Sequence, residues 1–150
     1  KPAPAPGVVP KPSDAAVQWT MGKVGGTLDE ALKAKELSYS YKGLDDEGAK
    51  VVAYIVAASG SLVELLLYGN SIGDEGAKAL AEAVRSSGSL AHLILQLNNI
   101  GDAGAKAIAD AVAASGSLAH LELRMNSIGD AAKRLLRDAV QGRRGFELNV

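Results

Sequence analysis

The sequence predicts an α/β fold, a short right-handed solenoid with a parallel sheet on its concave face and helices on its convex face. Three observations carry that expectation. The chain copies itself with a period of 28 residues. Each copy joins a short alternating apolar run to a longer amphipathic one. No copy is large enough to bury its own apolar face, so neighbouring copies must stack to make a core.

The period is read from Leu62, Leu90 and Leu118, which open segments of equal length, with Phe146 where the next would begin. Residues 62–89 and 90–117 match at 17 of 28 positions. Each reads L-x-x-L-x-L-x-x-N-x-I-G-D, as in Leu90, Leu93, Leu95, Asn98, Ile100, Gly101 and Asp102. The alternation of Leu65 and Leu67 predicts a strand with one buried face, ended by Asn70. An asparagine amide both donates and accepts, so Asn70, Asn98 and Asn126 are expected to form a structural ladder, satisfying backbone groups where stacked turns exclude water. Asp74 and Asp102 then stand where each could cap the helix that follows it. That helix has an inward stripe of Ala77, Leu80, Ala81 and Val84, with Lys78 and Glu82 outside. Gly76, Gly104, Ala77 and Ala105 let helix and sheet approach closely, and Ser-Gly-Ser at 59–61, 87–89 and 115–117 returns the chain to the next strand.

This combination of spacing and period resembles the leucine-rich repeat signature, and the repeat length resembles the ribonuclease-inhibitor-like subfamily of strand-plus-helix repeats. The resemblance covers residues 34–150, as units 34–61, 62–89, 90–117, 118–145 and a partial 146–150. It implies a non-enzymatic module or scaffold that binds proteins. Members of the subtype include enzyme inhibitors, innate-immune sensor segments and GTPase-activating proteins, all with larger horseshoes than this chain can build. The first unit departs from the pattern, with Ala34 for the opening Leu, Tyr39 for the third and Lys42 for Asn. In the last full unit, deleting the glycine equivalent to Gly104 makes Ala132, Leu135, Leu136 and Ala139 an inward stripe. The same shift puts Leu148 and Val150 where Leu65 and Leu67 stand. Departures at both ends suit repeats that must close an open apolar stack.

Ahead of the repeats, residues 1–13 read as a Pro-rich extended arm and 14–33 as an N-terminal cap. All five prolines lie in the first twelve residues, a composition that favours polyproline conformation and cannot form a core. The arm is a candidate tether to a partner. Val17, Trp19 and Met21 alternate with Ala16, Gln18 and Thr20, a period-two pattern that predicts a short strand, broken by Gly22, Gly25 and Gly26. Thr27 with Glu30 reads as a capping box opening a short helix through Leu28, Ala31 and Leu32. Trp19, the one tryptophan, is expected to plug the end of the core.

Composition narrows the function. At 150 residues the chain has the length of one domain. A formal charge of −1 supplies no global field for nucleic acid or an anionic membrane. Without cysteine there is no disulfide, thiolate nucleophile, iron–sulfur cluster or Cys-based zinc site. The stretches without Asp, Glu, Lys or Arg, at most 16 residues between Arg85 and Asp102 and 13 between Lys50 and Glu64, are too short and too broken to cross a bilayer. There is no G-x-S-x-G elbow, and Gly22-Lys23-Val24-Gly25-Gly26 lacks the length and Lys-Ser/Thr ending of a phosphate loop. No enzyme and no cofactor are expected.

The outward strand positions form three columns about 4.8 Å apart from strand to strand. They are Glu36, Glu64, His92 and His120; Ser38, Leu66, Ile94 and Glu122; and Ser40, Tyr68, Gln96 and Arg124. Leu66, Ile94 and Tyr68 make an apolar spot ringed by Glu64, His92, His120, Glu122 and Arg124, the composition of a protein-binding patch with a polar rim. His92 and His120, flanked by carboxylates, are the one candidate metal pair, a weaker reading because repeats copy residues and no third ligand is fixed. Lys133, Arg134, Arg137, Arg143 and Arg144 read as a solvated helix face, or as a surface for an acidic partner or lipid head group. The rival to a free-standing module is a structural or accessory subunit of a larger, membrane-associated assembly. A chain beginning at Lys1 rather than Met suggests that reading, with import into an organelle after loss of a targeting segment.

Overall fold

A computed structural model describes residues 8–150. Of the Pro-rich arm, residues 1–7 lie outside the described residues. The elements alternate: α1 (Asp14–Val24), α2 (Leu28–Lys33), β1 (Glu36–Ser38), α3 (Asp46–Ala58), β2 (Glu64–Leu66), α4 (Asp74–Ser86), β3 (His92–Ile94), α5 (Asp102–Ala114), β4 (His120–Glu122), α6 (Asp130–Val140) and β5 (Glu147–Asn149). The five strands form one parallel sheet in sequence order. Strands about 4.8 Å apart and helices about 8–10 Å apart cannot stack straight, so the stack bends toward the sheet. This is an α/β leucine-rich-repeat type of solenoid.

The core runs the length of the stack as repeated layers. Leu37, Leu65, Leu93 and Leu121 stand in register and are buried, as are Leu67, Leu95 and Leu123 one pleat on. The helices answer with Ala77, Leu80, Ala81 and Val84, and with Ala105, Ile108, Ala109 and Val112. A Cβ on Gly76 would stand 2.8 Å from the Cβ of Ala49, so α3 and α4 meet at backbone contact, and Gly104 does the same for α4 and α5. The Ser-Gly-Ser returns are closed by their first serine. Ser59 Oγ accepts from the N–H groups of Ser61 and Leu62, and Ser87 and Ser115 repeat the arrangement.

The asparagines bridge adjacent turns. Asn98 Nδ2 donates to Leu67 O at 2.9 Å and Leu95 O at 3.1 Å, while its Oδ1 accepts from Ile72 N. Asn126 and Asn70 make the equivalent bonds, and Asn70 Oδ1 accepts from both Lys42 and Leu44. The aspartates differ from expectation. Asp74 and Asp102 do not cap their own helices, whose N-caps are Gly73 and Gly101 with no side-chain bond. Asp74 Oδ1 instead accepts from Gly101 N at 2.8 Å and Gly104 N at 3.0 Å, the N-terminus of the next repeat's helix. Asp46 does so for Gly73 and Gly76, and Asp102 for Gly129 alone. The side chain starts inside the first turn of its own helix, where it points sideways along the stack, and there the neighbour's orphan N–H groups lie within reach.

Three expectations fail at the ends. Residues 17–21 are helical, not a strand. Ser13 Oγ caps α1 by accepting from Ala16 N, and Gly25 at φ 85° stops it. Val17, Thr20, Met21 and Val24 then form the inward stripe, which turns Trp19 to the flank, 43% exposed. Its ring lies against Gly48 under the Lys23 ammonium rather than plugging the core. Leu135 is 45% exposed, although it aligns with buried Ile108, because among the described residues no further helix packs outside α6; Ala132 and Leu136 are buried. The capping box of Thr27 and Glu30 is present. Residues 9–13 rest on the outer helices, where Val9 packs against the core and Pro10 and Pro12 line a groove of about 310 Å³ with Glu47, Lys50 and Ala79.

Candidate partner-binding face

Parallel register decides which side chains share the outer sheet surface. Glu36, Glu64, His92, His120 and Glu147 form one row, and Ser38, Leu66, Ile94, Glu122 and Asn149 the next. The third row follows from the ladder beyond the strands, where Tyr41 N bonds Tyr68 O, Gly69 N bonds Gln96 O and Leu97 N bonds Arg124 O. The structure therefore brings Glu64, Leu66, Tyr68, His92, Ile94, Gln96, His120, Glu122 and Arg124 onto one surface. Leu66, Ile94 and Tyr68 lie side by side and half-buried at its centre.

Glu122, expected in an exposed rim, is buried at 5% exposure. Arg124 covers it: Nε donates to Oε1 at 2.9 Å and Nη2 to Oε2 at 2.8 Å, with the Arg124 N–H also on Oε1. Burial alone would push the carboxyl up, but these bonds and the guanidinium charge hold it below the ordinary glutamate range. The bidentate pair stands beside Ile94 in the register and leaves the Glu122 charge compensated there.

His92 and His120 meet edge to face, ring centres 5.7 Å apart, and His120 Nε2 lies 4.0 Å from Glu147 Oε1. Among the described residues no three His, Asp or Glu side chains converge as a metal-ligand group. In the basic cluster, Arg143 is structural. Its guanidinium donates to Val112 O and Leu118 O, both at 2.8 Å, closing the end of α5, while Arg144 stays exposed.

Sequence reasoning missed a second surface along one edge of the sheet. Tyr41, Gly69, Leu97 and Met125 occupy the same turn position in successive repeats, all in the left-handed region at φ 56°, 70°, 59° and 60°. Only one is glycine, and each of the others carries a backbone cost of about 1 to 2 kcal/mol. Tyr41 and Met125 are 64% and 62% exposed. The Tyr41 ring lies over Gly69, in space that a Cβ there would occupy, and packs edge-on against Tyr68 at 5.0 Å. The signal in the sequence was Gly69 itself, which the 28-residue alignment sets in one column with three bulky apolar residues.

A layered strand-and-helix stack with an open, partly apolar sheet face defines a solenoid of the kind that displays side chains to a ligand. The leucine-rich repeat family model matches residues 61–81 and 88–109. In structure the chain is similar to leiomodin-1 actin-binding site 2, with a TM-score of 0.67 and 15% identity over 87% of this chain and 74% of that one. It is also similar to the Caenorhabditis elegans tropomodulin C-terminal domain, with a TM-score of 0.60 and 11% identity over 86% and 92%. No curated protein sequence matches it. At such identities the likeness is one of fold. The fold is that of a leucine-rich repeat solenoid, and two of its repeats match the family's model.

Proposed function

We propose that the chain is a non-enzymatic protein-interaction module that holds a partner protein on its concave sheet face, through Glu64, Leu66, Tyr68, His92, Ile94, Gln96, His120, Glu122 and Arg124. The observation that carries this reading is the half-buried Leu66, Ile94 and Tyr68 spot, framed by polar groups and by the bidentate Arg124–Glu122 pair. Such a centre and rim is the anatomy of a protein interface. Asn70, Asn98 and Asn126 serve the reading as scaffold, fixing the turns that hold the strands in register. The 28-residue period supports placing the chain in the ribonuclease-inhibitor-like subfamily. Leiomodin-1 supplies a precedent of scale, since its similar solenoid is named as an actin-binding site. Residues 9–13 are occupied by their own helices, so any tethering by the arm falls to residues 1–7.

The test is capture from the native source by parent and by Tyr68→Ala with Ile94→Ala, with cross-links mapped by mass spectrometry. Purified actin is a separate co-sedimentation arm. Partner cross-links to the sheet face that vanish in the double variant at unchanged melting temperature support the reading. Equal capture by both proteins moves the interface off the sheet.

A further inference from the structure

The row of left-handed turns lies on a different edge from the sheet face and asks a separate question. Glycine would sit without strain at all four positions, yet three carry large apolar side chains, two of them more than half exposed. Strain kept in place by exposed apolar groups contributes nothing to burial, so the side chains themselves must be what is useful. The row is continuous: Tyr41 on Tyr68 at one end, Leu97 in the middle, and Met125 at the other, where Gln96 Nε2 points to its sulfur at 3.7 Å. Four turns about 4.8 Å apart span roughly 14 Å, the reach of four or five extended residues.

Charge along this edge has one sign. None of the sixteen residues at 40–43, 68–71, 96–99 and 124–127 is acidic, whereas Lys42 and Arg124 are basic, in a chain of net charge −1. The nearest aspartates, Asp45 and Asp46, direct their oxygens to helix N-termini. Arg124 is neutralised by Glu122 beneath it, so the uncompensated charge sits at the Tyr41 end. There Lys42 is exposed, and Lys23 Nζ stands 3.6 Å from where a Cβ on Gly43 would be.

We infer that this edge is a second docking site, taking a short extended acidic–hydrophobic segment of a partner protein. Its apolar side chains lie along Leu97 and Met125 and its carboxylates face Lys42 and Lys23 beside the tyrosine pair. The inference goes beyond the sheet-face reading and does not depend on it.

The experiment selects a displayed library of random nine-residue peptides on the whole chain. Recovered peptides are then measured by fluorescence anisotropy against the parent and three variants. Enriched peptides should pair two or three apolar residues with Asp or Glu. Leu97→Gly with Met125→Gly should weaken binding by about tenfold or more, as loss of central anchors does, with the melting temperature held or raised because strain is relieved. Lys42→Glu should weaken it about fivefold at low salt and less at high salt. Ile94→Ala, on the sheet face, should leave it unchanged. If the double variant loses its fold, Met125→Gly alone carries the comparison, at a position that is mostly solvent. Peptides without acidic residues, or peptides that bind the glycine variants as well as the parent, overturn the inference. Loss confined to Ile94→Ala also overturns it, while leaving the sheet-face reading standing.

Discussion

Asp74→Ala tests whether the repeats are joined by their aspartates. Asp74 Oδ1 accepts two N–H groups of the following helix, at 2.8 and 3.0 Å, and the second belongs to the buried Gly104. A hydrogen bond to a charged acceptor is worth about 1.5–3 kcal/mol, but Gly101 is open enough for water to replace part of one bond. Loss of the charge at a helix N-terminus adds about 0.3–1 kcal/mol. The expected cost is about 2–3 kcal/mol, or about 5–10 °C in melting temperature for a chain of this size. Asp74→Asn, which keeps the acceptor and loses the charge, should cost well under half of that. The decisive comparison is along the stack. Asp102 holds one N–H, because α6 lacks the glycine equivalent to Gly104, and Asp130 has no following helix among the described residues. Thermal unfolding followed by circular dichroism should therefore rank alanine substitutions Asp74, then Asp102, then Asp130. All three stand in the first turn of their own helix, so equal losses would mean that they serve that helix's dipole and would refute capping across repeats.

Asn98→Leu should strand the Ile72 N–H between turns, while Leu67 O and Leu95 O keep their bonds from Asn70 and Asn126, and cost about 1–3 kcal/mol by urea titration; an unchanged midpoint sinks the ladder. Glu122 has its pKa lowered in the folded chain, so its contribution is present above the ordinary glutamate range and is lost as pH falls through the folded value. The melting-temperature gap between parent and Glu122→Gln should hold from pH 7 to about 5 and then close below about pH 4, whereas parallel curves would show that the pair contributes nothing. Truncations of residues 1–7 and of residues 1–12 isolate the contribution of Val9, Pro10 and Pro12 by their difference. The longer truncation should melt a few degrees below the shorter one, because Val9 leaves the core edge; equal melting of the two would show that the contacts of residues 8–12 are idle.

The central repeats were legible because each position is constrained several times over. Leu65, Leu93 and Leu121 satisfy strand periodicity, repeat alignment and burial together, and the structure stacks them in register. The ends were less legible for two different reasons. Residues 17–21 are too few for period two to exclude a helix, and the deciding signals were outside the window, in the Ser13 cap and the Gly25 stop. At Leu135 the alignment was right, but burial belongs to the neighbour as much as to the residue, and among the described residues no helix follows α6 to cover it. Asp74 shows the same limit in polar form, since spacing marks a capping residue without saying which helix it caps.

The columns of the outer surface were predictable from period and pleat, but exposure along them was not. Glu122 and Glu64 are chemically the same choice in sequence, yet only Glu122 has an arginine two residues on, on the same side of the strand, and it is the one that is buried with its carboxylate bonded by that arginine. Pairing at i and i+2 is therefore a readable signal for burial of a charge, because it places a partner within reach before any tertiary contact forms. The turn row is harder. Left-handed backbone is written in sequence as glycine, and here the glycine appears once in four repeats, at the one position where Tyr41 occupies the space of a side chain. In a repeat protein a single glycine thus reports on its whole column: the shared hydrogen-bond ladder imposes its φ on every copy, whatever residue each copy carries. A bulky residue at such a column is held there by its neighbours' backbone, which makes the mismatch between residue and conformation a place to look for function.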